Sequence, residues 1–260
     1  MLHDFTKDKF DILILAGQSN AEGYGFGPTP DPYQPDGRVF CLHKDGTLVQ
    51  AAERVVRNGV GTNLALSFAR EYLNSGRLAE GRRLLIVSAA VGGTGFRDGR
   101  WGLTDDLFLL MLEMARTALS LNPENRLVAL LWHQGETDAI AGATRDEHYH
   151  NLSALVSAVR GTLGVPALPV IAGDFTPRWR GFSKYKDACP PITEAIRAVM
   201  RDCGHGGFVE TDGLTSNAEE EMAHPLGWPC DEIHFSRRAL YELGRRYFER
   251  FTELQAEERR

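Results

Sequence analysis

The stretch DILILAGQSNAEGYG, Asp11 to Gly25, runs an unbroken apolar segment into a glycine and then three polar residues, Gln18, Ser19 and Asn20. A run apolar at nearly every position suits a strand covered on both faces, as in a parallel sheet. The polar residues after it suit a tight turn, and so does a nucleophile placed at the edge of a sheet.

Four further runs read the same way or nearly so: Arg83 to Ala90, Arg126 to Gln134, Leu168 to Gly173 and, less apolar, Gly206 to Thr211. Amphipathic stretches lie between them. TNLALSFAREYLNSG has Thr62 as a candidate N-cap and places Leu66, Ala69 and Leu73 on one face; TDDLFLLMLEMARTALSL starts at Thr104 with Asp105 and Asp106 in its first turn. Helical patterns recur after each later strand, the last with Ser236 as N-cap. This alternation predicts a three-layer α/β/α sandwich, doubly wound and flavodoxin-like, around a mostly parallel five-stranded sheet. Ligands bind such sheets at the carboxyl ends of the strands.

Each chemically informative block falls at one of those ends or in a loop on that side. They are GQSN (Gly17 to Asn20), VGGTGF (Val91 to Phe96), WHQGETD (Trp132 to Asp138) and DEIHFS (Asp231 to Ser236). Acyl transfer needs this set: a serine, a base to take its proton, a carboxylate to fix the base, and donors for the oxyanion. Asp231 and His234 are three residues apart, which lets the carboxylate fold back onto the ring. Glycine amides of the second block and the Gln134 amide are candidate donors.

In this order the blocks resemble the SGNH (GDSL-like) hydrolases. More narrowly they are similar to the sialate O-acetylesterase and acetylxylan esterase branch, carbohydrate esterase family six. The motifs that carry the likeness are GQSN, VGGTG, HQGE and DEIH, with TDGL at Thr211 to Leu214, over about Asp11 to Phe248. The resemblance implies Ser19 as nucleophile, His234 as base and Asp231 as its orienting carboxylate. It implies an oxyanion hole of the Ser19 and Gly93 amides with the Gln134 side chain, where the wider superfamily uses an asparagine. Gly92 is the alternative to Gly93, and Glu136 and Asn20 are possible additional members of the site. The expected substrate is a small-molecule or oligosaccharide acetyl ester: sialic acid, xylan or another acetylated sugar. The alternatives are a lipid ester or thioester, against which the PTPDPYQPDGR loop is polar, and a non-catalytic carbohydrate-binding protein, against which Ser19 and His234 are both retained.

Structural readings stand beside these. His133 packs under the site. EHYH, Glu147 to His150, spreads over different helix faces and reads as solvated surface. Trp101, Trp179 and Trp228 lie in loop-like stretches where sugar stacking and plain packing are equally open readings, and the charged tail from Glu249 reads as a solvated helix end. The glycines of the second block lack the Gly-Lys-Ser/Thr of a phosphate loop.

With 260 residues, 43% hydrophobic, the chain can bury a full core as one domain over residues 1–260. A formal charge of −6 offers no footprint for nucleic acid or an anionic membrane. No apolar run is long enough for a spanning helix. MLHDFTKDKFDILIL has no basic leader region, so a cytoplasmic location is expected. Cys41, Cys189, Cys203 and Cys230 form no Cys-x-x-Cys pair, so buried free thiols are expected and neither metal nor cofactor is. The oligomeric state is not legible.

Overall fold

A computed structural model describes residues 4–221 and 224–257. In chain order the first elements are β1 (Lys9–Gly17), α1 (Ser19–Glu22), β2 (Val39–Leu42), β3 (Leu48–Gln50), β4 (Arg54–Val56), β5 (Gly59–Gly61), α2 (Leu64–Asn74) and β6 (Arg82–Ser88). Then come α3 (Asp106–Ser120), β7 (Arg126–His133), α4 (Glu136–Ile140), α5 (Arg145–Leu163), β8 (Val170–Gly173), α6 (Pro177–Phe182), α7 (Cys189–Asp202), β9 (Gly206–Val209) and α8 (Arg237–Glu257).

The central sheet has seven strands in the order β3-β2-β6-β1-β7-β8-β9. Every neighbouring pair is parallel except β2 with β3. The expected five strands are all present, and the count is corrected by the β2–β3 hairpin at one edge. Its Asp45-Gly46 turn is a hairpin signal. Its strands are short and only part-buried, so they lack the continuous apolar run by which the inner strands were read.

Alternation along β1 builds the layers. Ile12 and Ile14 face one core with Phe108 and Met111 of α3, Leu152 and Val156 of α5, and Ile196 of α7. Leu13 and Leu15 face the other, with Phe68 of α2 and Leu243 and Tyr247 of α8. The exception in the run is Asp11, fully buried at the amino end of β1. Arg82 of β6 and Arg126 of β7 each reach it at 2.7 Å, and the Tyr72 hydroxyl donates to it at 2.7 Å. One carboxylate thus clamps the first residues of both neighbouring strands. Burial opposes its charge, but these partners still hold it below the usual carboxylate range.

Two helix starts differ in detail from the sequence reading. Asn63, not Thr62, caps α2, accepting from the Ala65 amide. Asp105 is the N-cap of α3, leaving only Asp106 in its first turn. Ser236 caps α8, its hydroxyl accepting from the Ala239 amide at 3.3 Å. The α8 end is amphipathic rather than solvated all round, since Phe251 and Leu254 are buried; residues 258–260 of that tail lie outside the described residues.

The chain leaves β6 and crosses over β1 to form β7, so the strand order reverses around β1. The carboxyl ends of β6, β1 and β7 therefore meet at the switch point where such sheets take ligands. Gly17 ends β1 there with φ +123°; a Cβ would lie 2.1 Å from the His133 carbonyl, so only glycine lets the chain pass.

Candidate active site

Ser19 is the first residue of α1, two residues past the last residue of β1, and is buried. The turn that carries it is tied on three sides. The Gln18 amide donates to the His133 carbonyl at 2.9 Å, and the Gln18 side-chain oxygen accepts from the Thr137 amide at 3.1 Å. Asn20 Nδ2 donates to Glu136 Oε1 at 2.7 Å and to the Ile233 carbonyl at 3.1 Å, while Asn20 Oδ1 accepts from the Phe235 amide at 3.0 Å. Asn20 therefore grips the chain on both sides of His234 and brings the serine turn against it.

Asp231 Oδ1 lies 2.7 Å from His234 Nδ1 and accepts from the His234 amide at 3.4 Å. Its other oxygen accepts from Asn217 Nδ2 at 2.8 Å and lies 2.9 Å from His224 Nε2. Burial would raise this carboxyl, but His234, Asn217 and His224 outweigh it and hold Asp231 below its ordinary range. With the carboxylate ionised, His234 Nδ1 carries the proton and Nε2 is left with its lone pair.

The Gly92–Gly93 turn after β6 lies beside the serine: a Cβ on Gly92 would be 3.4 Å from Ser19 Cβ. The Gly92 amide is already engaged, donating to Glu22 Oε2 at 2.6 Å. Gln134 is buried, and both hydrogens of its amide are in use: Nε2 donates to Asp138 Oδ2 at 2.8 Å and to the Thr94 carbonyl at 3.3 Å. Asp138 also accepts from the Phe96 and Arg97 amides, so it fastens the Gly-rich loop to α4.

Glu136 is fully buried behind this rim, hydrogen-bonded to Asn20 and not to His234. His133 packs beneath, as its position suggests. The Tyr247 hydroxyl donates to the Trp132 carbonyl at 3.0 Å, so its 2.9 Å contact with His133 Nδ1 requires that ring nitrogen to donate. Burial keeps this imidazole neutral, its pKa pulled down to about 3.

Burial likewise pushes Glu136 up to about 6 from 4.5. A carboxyl raised on folding stays protonated where the unfolded chain has already ionised. Its effect is nil below about 4.5, destabilises progressively between 4.5 and 6, and is constant above, amounting to about 2 kcal/mol. Glu136→Gln carries no such charge. The stability of the variant relative to the parent is therefore expected to rise by about 2 kcal/mol between pH 4.5 and pH 8, measured by urea titration. A difference independent of pH would contradict the buried-acid assignment.

Trp101 and Trp179 are packing residues, 0% and 3% exposed, whereas Trp228 is 42% exposed. The Trp228 ring lies parallel to Tyr24 at 5.7 Å, and Tyr24 stacks on His234 at 5.3 Å. One cleft reaches the histidine, and a second opens at Glu22. The first, about 430 Å³, is lined by His234, Trp228, Tyr185, Lys184 and Ile140. The other, about 590 Å³, includes Glu22, Lys44 and Arg54. The Arg54 guanidinium sits 5.0 Å over the Tyr24 ring.

EHYH is not simply surface: His148 is buried, with Nδ1 3.4 Å from Asp138. Free thiols are present, but Cys230 is exposed and only Cys189 is buried. Sequence reasoning did not single out Tyr24, Glu22, Asp138, Asn217 and His224. Glu22 follows Ser19 by three on one short helix, a spacing that could have flagged it; Asn217 and His224 belong to no local motif.

The chain matches the family described as carbohydrate esterase, sialic acid-specific acetylesterase over residues 9–253. It is 25% identical to a protein of Escherichia coli (strain K12) named "Probable 9-O-acetyl-N-acetylneuraminic acid deacetylase", across 83% of this chain and 82% of the relative. It is 28% identical to a "Probable carbohydrate esterase" of Arabidopsis thaliana, across 62% and 66% of the two chains. The crystal structure of NanS superposes with a TM-score of 0.78 at 23% identity, covering 96% of this chain and 99% of that one. The four motif blocks, the doubly wound sheet that gathers them and this match over nearly the whole length agree: the chain belongs to the carbohydrate esterase family of sialic acid-specific acetylesterases.

Proposed function

We propose that this chain removes O-acetyl groups from a carbohydrate through an acyl-enzyme on Ser19. The observation that carries the assignment is the 2.7 Å contact between His234 Nδ1 and Asp231, held against the serine turn by Asn20. Ser19 Oγ attacks the acetyl carbonyl while His234 Nε2 takes its proton. The oxyanion is received by the Ser19 amide, which at the first turn of a helix has no intrahelical partner, and by the Gly93 amide. Gln134 joins them by giving up the longer of its two bonds, the one to Thr94. His234 returns the proton to the sugar oxygen as the C–O bond breaks. Water then repeats the attack on the acetyl-serine, releasing acetate and restoring Ser19.

The Gly92 amide, committed to Glu22, favours Gly93 as the glycine donor. Glu136 serves by holding Asn20 rather than His234.

For the sugar we favour an O-acetylated sialic acid. The family description supports this, as does the name of the Escherichia coli relative. So do Lys44 and Arg54, cations gathered around Glu22 with Arg54 over the Tyr24 ring that stacks on His234, which suit a substrate carboxylate. Acetate release should be measured with 9-O-acetyl-N-acetylneuraminic acid, an acetylated xylo-oligosaccharide and a chromogenic acetate ester. The acidic sugar is expected to give the highest kcat/KM. An equal or higher value for the neutral oligosaccharide would move the assignment to neutral glycans.

A further inference from the structure

Asp231 carries two imidazoles, and only His234 has a part in the chemistry proposed above. The second is His224. Its Nδ1 accepts from the Leu226 amide at 3.2 Å, which places the proton on Nε2 and aims that N–H at Asp231 Oδ2, 2.9 Å away. The side chain is only 9% exposed. It is held between Phe26, edge-on at 5.1 Å, and the Trp228 ring, near-parallel at 5.2 Å. Trp228 in turn lies 5.6 Å from the His234 ring.

We propose that His224 is a positioning residue of this esterase, a second imidazole donor that fixes the Asp231 carboxylate for His234 and locks the Trp228 segment beside it. The proposal rests on the serine-esterase reading above. A carboxylate bonded only through Oδ1 can pivot about its last torsion. Donors at Oδ2, here His224 and Asn217, remove that freedom and leave Oδ1 for His234. They also share the negative charge, so Asp231 pulls less strongly on the His234 proton. Other charged or titratable groups near the pair are Glu136 behind His234, Arg54 over Tyr24, and Glu232, which bonds Arg178. Among the described residues, the side chains that hydrogen-bond the carboxylate are His234, His224 and Asn217.

The test compares His224→Phe, which keeps a ring beside Trp228 but donates nothing, with His224→Gln, whose Nε2 can reach the same oxygen. His224→Phe is expected to lower kcat about tenfold, the scale on which outer partners of a site act, with KM nearly unchanged. The acid limb of its kcat/KM profile should move to higher pH, because a less shared Asp231 makes His234 more basic. His224→Gln should recover most of kcat and return the limb. If the phenylalanine variant proves unstable, His224→Met, unbranched and without a donor, takes its place. A second readout needs no turnover and so stands apart from the Ser19 assignment. The far-downfield proton of the His234–Asp231 bond, followed in ¹⁵N-histidine-labelled protein, should move further downfield in the Phe or Met variant and stay near its wild-type position in Gln. Unchanged kcat, acid limb and proton shift in the donor-less variant would overturn the proposal, as would failure of Gln to restore them. Full activity of a Ser19→Ala control would instead locate the fault in the serine reading.

Discussion

Ser19→Ala is expected to lower kcat for acetate release by about 10⁶-fold, the scale on which a serine hydrolase loses its nucleophile. The substitution removes only Oγ. The bonds that shape the turn come from Gln18 and Asn20, whose partners are His133, Thr137, Glu136, Ile233 and Phe235. The variant should therefore fold like the parent and still bind the acetylated sugar. An organophosphonate should add once to the parent, at Ser19, and not to the variant. Chymotryptic mapping of the adduct together with single-turnover kinetics decides the matter. Labelling at a different serine, or acetate release by the alanine protein within about tenfold of the parent, would remove Ser19 from the mechanism.

How much of this was legible beforehand depended on how local the signal was. The inner strands announce themselves because both faces are covered, so Ile12 to Leu15 are apolar at every position. β2 and β3 pack on fewer sides and mix Phe40 and Cys41 with Gln50, so their sequence carries little beyond the Asp45-Gly46 turn. The same contrast runs through the site. Ser19, and Asp231 with His234, lie in short motifs in which chemistry fixes the residue types. Gln134 was legible as an amide in the right block, but its commitment to Asp138 and Thr94 depends on how the Gly-rich loop folds over α4. His224 and Asn217 reach Asp231 from seven and fourteen residues away in the chain. No periodicity encodes that. Trp228 could be separated from Trp101 and Trp179 only by exposure, which three tryptophans in similar Gly- and Pro-rich surroundings do not reveal in sequence.

Two carboxylates compete for the support of His234, and their surroundings separate them. In Asp231→Asn the new amide must choose an orientation. Two donors, His224 Nε2–H and Asn217 Nδ2–H, face the Oδ2 position, so the amide oxygen takes that place and the NH₂ turns toward His234. An N–H aimed at Nδ1 demands a lone pair there and drives the proton to Nε2. The base that should receive the Ser19 proton is then already protonated on the facing nitrogen. The expected loss in kcat is about 10⁴-fold, as when a serine protease has its orienting aspartate amidated. Glu136→Gln meets a different demand: its retained Oε1 still accepts from Asn20 Nδ2, and the serine turn keeps its grip on residues 233 and 235. Its kcat should fall by about tenfold at most, with its main signature the altered pH dependence of stability. Measuring kcat for both variants on one chromogenic acetate ester, with thermal midpoints alongside, separates the roles. Should Glu136→Gln be the inactive protein while keeping its midpoint, and Asp231→Asn stay active, Glu136 would be the acid that serves His234, and the 2.7 Å contact with Asp231 would belong to the scaffold.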